Sequence, residues 1–322
     1  MGKYAAIDQA GAAFERQTSG SVLMVEPAAF GFNPETARSN CFASPSELAE
    51  VATLARGEFE ALAGRLEAAG VGVHRLADTP HPAKPDALFP NNWISFHGDG
   101  TIVTYPVEAV SRRAERRYDA VAALLRAAGF EIGAHVDLSH HEDLGRYLEG
   151  TGSLVLDRPR RRAYACLSSR TDARVIADFD ASLGYATLVF AAADPGGRPI
   201  YHSNVVMSLG ARYALVCVDA VAAADRRRLV EDIELGGRTL IEIDYAQLLS
   251  FAGNVIELQD REGRGLVAMS TGAHASLRPG QQRALETLAG ELVHVPVPTI
   301  ERVAGGGVRC MIADVHLPRR DA

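Results

Sequence analysis

The stretch RTDARVIADFDASLGYATLVFA, residues 170–191, shows the local pattern from which the fold can be inferred. Its first part carries apolar residues at helical spacing, and Gly184 follows the last of them. Glycine is the usual residue just past a helix end, because it adopts the left-handed conformation at little cost. The segment after Gly184 is rich in aromatic and β-branched residues, which favours a strand. The stretch therefore predicts a helix, a glycine stop and a strand.

The same order recurs five times along the chain. Helix-like segments begin at residues 44, 111, 170, 225 and 278, and the glycines that end them are Gly70, Gly129, Gly184, Gly237 and Gly290. Paired strand-like segments with short turns lie between the helices and predict hairpins. Near-equal units of this kind indicate a repeat architecture. The alternative is ordinary α/β layering in which the spacing is a coincidence.

The domain organisation follows from the absence of a linker. The chain has 322 residues, and length alone suggests about two domains. No stretch rich in proline, glycine and serine divides it. We therefore predict a single domain over residues 21–318, with tails at 1–20 and 319–322. In a ring of modules, loops from different modules can converge on one central site.

Composition excludes several classes of function. Hydrophobic residues make up 47% of the chain, its net charge is −7, and the sequence pI is about 5.8. This charge provides no general attraction for nucleic acid or for an anionic membrane surface. The sequence contains no segment typical of a signal peptide or a membrane span. Its four cysteines are far apart, which indicates free thiols in a reducing cytoplasm.

Four stretches in different modules carry the candidate chemistry. They are DALFPNNWIS (86–95), LEGTGSLVLD (148–157), YHSNVVMSLG (201–210) and GGGVRCM (305–311). Taken singly, Cys310, His202 and Glu149 each have an ordinary structural interpretation. Together they provide a thiol, an imidazole and a carboxylate, which suit covalent catalysis at a trigonal carbon. The sequence alone does not show that they meet in space.

The motifs FPNNW, EGTGSL, H-x-N, FAGNVIEL and GGGVRC, in this order, resemble those of the guanidino-group-modifying enzymes of the pentein fold. These enzymes include arginine deiminases, dimethylarginine dimethylaminohydrolases and amidinotransferases. The resemblance runs from about residue 21 to 318 and is closest to the branch described as citrulline-utilisation hydrolases. It implies a five-fold pseudosymmetric α/β propeller. It further implies a small-molecule substrate, no cofactor and no metal, with a homodimer as one possible assembly.

The resemblance also implies roles for individual residues. Cys310 resembles the family nucleophile, His202 the general acid and base, and Glu149 the carboxylate beside the reacting group. Asp86 matches an acidic residue that helps to bind the substrate. The run that precedes the cysteine is shifted, with Ala304 before three glycines, which leaves open whether the family turn is preserved.

Arginines are expected to hold the substrate carboxylate. Arg170 matches an arginine that grips the α-carboxylate in this family, and Arg112 resembles a second one, with Arg113 as the alternative. The planar guanidinium can donate two parallel hydrogen bonds to a carboxylate, which suits this role.

Some residues of this chain depart from the family pattern, and they bear on which substrate is bound. Asn91 and Asn92 stand where arginine-acting members carry R-D or E-D, and Asn204 stands where deiminases show the aspartate of H-L-D. A guanidinium is a cation without an acceptor and needs carboxylates, whereas asparagine can both donate to and accept from a neutral ureido group. We therefore predict hydrolysis of citrulline to ornithine, ammonia and carbon dioxide, with Asn92 and Asn204 positioning the substrate. In the alternative interpretation, Asn92 caps a turn.

Other functions remain open at this point. Within the same fold, arginine deiminase, dimethylarginine hydrolase and amidinotransferase activities are alternatives. A non-catalytic pentein binding module is a further one, but it would not need a cysteine, a histidine and a glutamate together. The stretch HVDLSHHEDLGRYLE (135–149) also concentrates metal-binding residue types, although runs of this composition on loops are often solvated.

Overall fold

The computed structural model describes residues 15–46 and 50–320, and within them it shows fifteen strands and ten helices. The strands are β1 (Ser21–Glu26), β2 (Gly72–Ala77), β3 (Ile94–Phe96), β4 (Thr101–Thr104), β5 (Ala134–Asp137), β6 (Val155–Asp157), β7 (Arg162–Cys166), β8 (Ala186–Phe190), β9 (Met207–Leu209), β10 (Tyr213–Val216), β11 (Thr239–Glu242), β12 (Ile256–Gln259), β13 (Gly265–Ser270), β14 (Glu291–Val295) and β15 (Ala313–Asp314).

Five of the helices are long and five are short. The long ones are α1 (Val51–Ala68), α2 (Tyr118–Ala127), α4 (Ala173–Leu183), α6 (Ala223–Leu235) and α9 (Pro279–Ala289). The short ones are α3 (Gly150–Ser153), α5 (Ser203–Val206), α7 (Tyr245–Leu249), α8 (Thr271–Ser276) and α10 (Pro298–Ala304). No helix in the described ranges is long and apolar enough to cross a membrane.

The strands form five three-stranded sheets of one design. In each, two strands pair antiparallel, and a third strand, reached from the middle one through a long helix, lies parallel to it. Four sheets use consecutive strands, from β3–β4–β5 to β12–β13–β14. The fifth joins the two ends of the described chain, because β15 pairs antiparallel with β1 and β2 lies parallel on its other side. The predicted α/β architecture of five repeated modules is confirmed.

The five predicted helix stops are also confirmed. The five glycines all have positive φ: Gly70 at 88°, Gly129 at 85°, Gly184 at 68°, Gly237 at 75° and Gly290 at 97°. Two predicted helix starts were wrong. Residues 44–46 are not helical, and residues 47–49 lie outside the described part of the chain. The second helix begins at Tyr118 rather than at 111, because Val110–Glu115 form a 3₁₀ turn in which Arg112 points inward and pairs with Glu115.

The interior combines apolar packing between sheets and helices with a polar centre. Helix faces pack against the sheets, as where Val175, Ile176 and Phe179 of α4 lie in one cluster with Ala163 and Leu156. The short segments that precede the first strand of each module face the centre of the ring, and several of them contact one another. These segments contain the motifs that the sequence analysis selected.

Candidate active site

Cys310 lies in a 3₁₀ turn, Val308–Met311, and its side chain is buried. The three glycines before it are needed for close approaches. A Cβ on Gly305, whose φ is +64°, would lie 2.6 Å from the backbone nitrogen of Ala43, and one on Gly306 would lie 2.8 Å from the Phe89 ring. A Cβ on Gly307 would lie 2.8 Å from the Asn254 Oδ1. The turn can therefore pack against its neighbours only without side chains at these positions.

Two carboxamides contact the thiol of Cys310. The Nδ2 of Asn254 lies 3.2 Å from Sγ, and the Nδ2 of Asn204 lies 3.6 Å from it. Burial raises the pKa of the Cys310 thiol, and the hydrogen bond from Asn254, the charge of Arg309 and the hydrogen bond from Asn204 oppose this rise without cancelling it. The thiol is thus protonated at neutral pH in the unliganded protein.

His202 and Glu149 form a buried pair, with 2.9 Å between Nε2 and Oε2. Burial works against ionisation of Glu149, but the charge of Arg170 and the hydrogen bond from His202 hold the pKa of this carboxyl well below its usual range. Burial lowers the pKa of the His202 imidazole, although the hydrogen bond and charge of Glu149 act in the opposite direction. At neutral pH the pair is a carboxylate with a neutral imidazole that can accept a proton.

The two arginines from the sequence analysis line the same cavity as Cys310 and His202. Arg112 donates to both carboxylate oxygens of Glu115, and its Nη1 donates to Asn92 Oδ1 at 2.7 Å. Arg170 donates to Glu149 Oε2 at 3.3 Å and to the backbone oxygen of Thr36 at 2.6 Å. In this unliganded state, both guanidinium groups are bound to protein acceptors.

Asp86 lies at the side of the cavity that the segment 33–40 covers. Its Oδ2 accepts hydrogen bonds from Asn33 Nδ2 at 2.7 Å and from the Thr36 hydroxyl at 3.2 Å. Burial raises the pKa of Asp86 against the opposing charge of Arg112. The cavity has a volume of only about 20 Å³, room for one water-sized molecule. The cavity in this state is therefore too small for an amino acid.

Each of the five modules provides one of these side chains from the same position, just before its first strand. Asn92 precedes β3, Glu149 precedes α3 and β6, His202 precedes α5 and β9, Asn254 precedes β12, and Cys310 precedes β15. Asn254 received no role in the sequence analysis. The repeat itself could have pointed to it, since the motif FAGNVIEL occupies in the fourth module the place that the other selected motifs occupy in theirs.

The residues weighed as a metal site do not form one cluster. Glu142 pairs with Arg113 and Arg116, and His135 stacks on the Tyr118 ring at 3.8 Å between centroids. Within the described ranges, one group has the spacing to hold an ion, consisting of His140, His141 and Asp178. It lies outside the cavity that contains Cys310.

Comparison of the sequence with protein families decides the relationship. A family described as N,N-dimethylarginine dimethylhydrolase, eukaryotic, matches residues 26–317. The chain belongs to this family. A comparison with curated proteins gives no match.

Solved structures of related fold agree with this family. ArgZ, an arginine dihydrolase of the cyanobacterial ornithine–ammonia cycle, superposes with a TM-score of 0.72 at 17% identity over 93% of this chain and 41% of ArgZ. An AgrE variant in complex with L-arginine gives a TM-score of 0.70 at 18% identity over 94% of this chain and 41% of AgrE. This chain therefore spans less than half of these two proteins.

A dimethylarginine dimethylaminohydrolase variant, trapped as an adduct with S-methyl-L-thiocitrulline, is similar over nearly its whole length. Its TM-score is 0.61 at 15% identity, over 91% of this chain and 98% of the other. The predicted membership of the pentein superfamily of guanidino-modifying enzymes is thereby confirmed.

Proposed function

We propose that this protein is a cysteine-dependent hydrolase of a ureido amino acid, with citrulline as its substrate. The observation that carries the proposal is the state of the carboxyl groups around Cys310. Glu149 is bound by Arg170 and His202, Glu115 is bound by Arg112, and burial favours the neutral form of Asp86. A guanidinium cation would find no unpaired carboxylate among these groups, and its burial without one is costly.

The asparagines support a neutral substrate. Asn92, Asn204 and Asn254 bring three carboxamides to the surroundings of Cys310, and a carboxamide can both donate to and accept from a ureido group. The Oδ1 of Asn204 has no hydrogen-bond partner among the described residues and offers an acceptor. Arg170 and Arg112 are the candidates for binding the α-carboxylate of the substrate. Either guanidinium would then give up its present protein acceptors and donate to that carboxylate instead.

The reaction proceeds through the thiol. Cys310 Sγ attacks the ureido carbon, and a proton transferred through His202 reaches the departing nitrogen. The covalent intermediate is a thiocarbamate. A water molecule activated by His202 hydrolyses it to the free thiol and a carbamic acid, which loses carbon dioxide and releases the second amine. Citrulline and one water thus give ornithine, ammonia and carbon dioxide, and Glu149 keeps the imidazole oriented throughout.

The test is a measurement of ornithine and ammonia after incubation of the purified protein with citrulline. We expect the two products in equal amounts, and their absence with the Cys310→Ser variant. Cys41→Ser is the matched control, because this exposed thiol lies outside the cavity and its loss should leave turnover unchanged. Failure to release ornithine from citrulline would contradict the proposal.

Arginine is the second candidate substrate, because ArgZ is described as an arginine dihydrolase and the AgrE structure contains L-arginine. The same assay separates the candidates. Full hydrolysis of arginine releases two ammonia molecules for each ornithine, whereas a deiminase would stop at citrulline. Methylarginines and an added acceptor amine complete the screen for dimethylarginine hydrolysis and amidino transfer.

We also propose a cytoplasmic location. All four cysteines of the chain are free thiols, which is the expected state in a reducing compartment. A homodimer remains a prediction from the family resemblance, and light scattering of the purified protein would test it.

A further inference from the structure

Among the described residues, the nucleophile has no hydrogen-bonded cation of the kind that usually accompanies a buried thiolate. The charge of Arg309 acts on Cys310, but the guanidinium donates to the backbone oxygen of Ile312 and to Asp314. A cysteine is most often made reactive by an adjacent imidazolium or another cation. Here the Nε2 of His202 is bound to Glu149, and burial keeps that imidazole neutral. The hydrogen-bonding side chains on Cys310 Sγ within the described ranges are the carboxamides of Asn254 and Asn204.

The orientation of the Asn254 carboxamide is set by its second contact. Its Nδ2 also donates to the backbone oxygen of Asn204 at 3.0 Å, and a carbonyl oxygen can only accept. The amino end of this side chain therefore faces both the carbonyl and Sγ. Its Oδ1 lies 3.6 Å from Sγ, within reach of the thiol proton. Asn254 can thus accept from the thiol and donate to the thiolate.

The surrounding chain is shaped to keep Asn254 in this place. The side chain is almost fully buried, and a Cβ on Gly307 would overlap its Oδ1. Asn204 contributes from the neighbouring module, and its Oδ1 has no hydrogen-bond partner among the described residues. A buried carboxamide without full pairing is costly, which suggests that it is retained for a use beyond packing.

We propose that Asn254, assisted by Asn204, is the catalytic residue that stabilises the Cys310 thiolate. The thiol proton leaves to solvent, and the negative sulfur accepts hydrogen bonds from the two Nδ2 groups. This assignment bears on substrate choice in a way that rests on the proposed function. A cationic guanidinium would itself stabilise a thiolate beside it, whereas a neutral ureido group brings no charge, so the protein must provide the stabilisation.

The experiment measures the rate of Cys310 alkylation by iodoacetamide as a function of pH, without substrate, in a Cys41→Ser background. The modified peptide is identified by mass spectrometry. A hydrogen bond to a charged group is worth about one to two pKa units. We therefore expect Asn254→Ala to slow alkylation at neutral pH roughly 10- to 100-fold, and to move the midpoint of the profile upward by a corresponding amount.

Three further variants make the outcome decisive. Asn254→Asp keeps the shape but replaces the donor with a carboxylate, and we expect an upward shift at least as large. Asn40→Ala removes another buried carboxamide that binds the glycine turn, at the backbone oxygens of Ala304 and Gly305, without contacting Sγ, and should leave the midpoint in place. His202→Ala should also leave it nearly in place.

The proposal is overturned if the midpoint in Asn254→Ala stays at the wild-type value, or if His202→Ala shifts it instead. Circular dichroism shows whether each variant is folded. Since the alkylation requires no substrate, this result is independent of whether citrulline is hydrolysed. Loss of citrulline turnover with an unshifted alkylation profile would assign Asn254 to substrate positioning and would likewise overturn the thiolate role.

Discussion

At the scale of single residues, His202 and Glu149 form a buried pair that suits the proton transfers of the proposed reaction. Glu149 stays ionised because Arg170 and Arg112 lie within 3.3 and 3.8 Å of its Oε2. The same carboxylate raises the proton affinity of His202, which burial otherwise lowers. The sequence analysis found both residues, because carboxylate and imidazole side chains in adjacent modules are a recognisable set. Their separation of 53 residues in the chain gave no information on the contact itself.

A Glu149→Gln substitution should separate these two effects. Without the carboxylate charge, the pKa of His202 falls further below its ordinary value, so the acidic limb of the pH–rate profile moves to lower pH. Loss of the oriented base should lower kcat by roughly 100-fold or more. The measurement is the pH dependence of citrulline turnover, together with an NMR titration of the imidazole.

Glu108→Gln is the control, because this carboxylate lies 3.5 Å from Arg170 but forms no hydrogen bond with His202 in the described structure. Its acidic limb should match that of the wild type. An acidic limb in Glu149→Gln at the wild-type pH, or above it, would contradict the assigned pair.

At the scale of the elements, the glycines after the long helices are not equivalent. Gly129 and Gly290 both have positive φ, but the space around them differs. A Cβ on Gly129 would meet nothing within 4 Å, whereas one on Gly290 would lie 2.0 Å from the backbone oxygen of Gly265, where β13 begins. The helix stop is a local property that the sequence pattern predicts, and the contact with a neighbouring strand is a tertiary one.

Substitution of these two glycines by alanine should therefore have unequal effects. Gly129→Ala places a side chain in the left-handed region and should lower the free energy of unfolding by about 1 kcal/mol. Gly290→Ala adds a clash with backbone and should cost about 3 kcal/mol. Urea unfolding of both variants gives the comparison. Equal losses would show that β13 can shift away without cost.

At the scale of the whole molecule, the ring is closed by the chain's own ends. Strand β15 pairs with β1, and Asp314 at its end is buried beside Arg158 of the second module, Arg309 and His316. Burial works against ionisation of Asp314, but Arg158 and Arg309 outweigh it and hold the pKa of this carboxyl well below its usual range. The closure thus joins strand pairing with a buried ion cluster.

Removal of this charge should destabilise the whole ring. Asp314→Asn leaves Arg309 without its buried counter-ion and Arg158 with Glu15 alone, and should cost about 3–5 kcal/mol of unfolding free energy at neutral pH. Because the folded pKa is depressed, this contribution is present above the unfolded pKa, about 3.9, and is lost as the pH falls through the folded value. The difference between wild type and variant should therefore shrink in strong acid.

Urea unfolding at neutral and acidic pH tests this expectation. Asp219→Asn is the control, because this exposed carboxylate lies 3.7 Å from Arg226 at the surface and should cost less than about 1 kcal/mol. A loss that stays constant as the pH falls would show that the Asp314 charge is not its source.

The sequence alone predicted the modules and selected candidate catalytic residues. Helix periodicity, glycine stops and β-rich segments are local signals, and their fivefold recurrence was enough to predict the architecture. Cys310, His202 and Glu149 could be selected because their side-chain chemistry is visible at each position. Local signals failed at the second helix start, where Arg112 turns inward, pairs with Glu115 and donates to Asn92 Oδ1, since a helical pattern does not reveal a hydrogen bond to a residue 20 positions away.

Only the tertiary structure decided how the site is assembled. Asn254 has no distinguishing chemistry in the sequence. What singles it out is that its Nδ2 lies 3.2 Å from the Sγ of Cys310, which is 56 residues away in the chain. The present partners of Arg112 and Arg170, and the cover that residues 33–40 place over the cavity, depend likewise on contacts between distant segments. Such contacts arise from the closing of the ring, which brings equivalent turns of five modules to one centre.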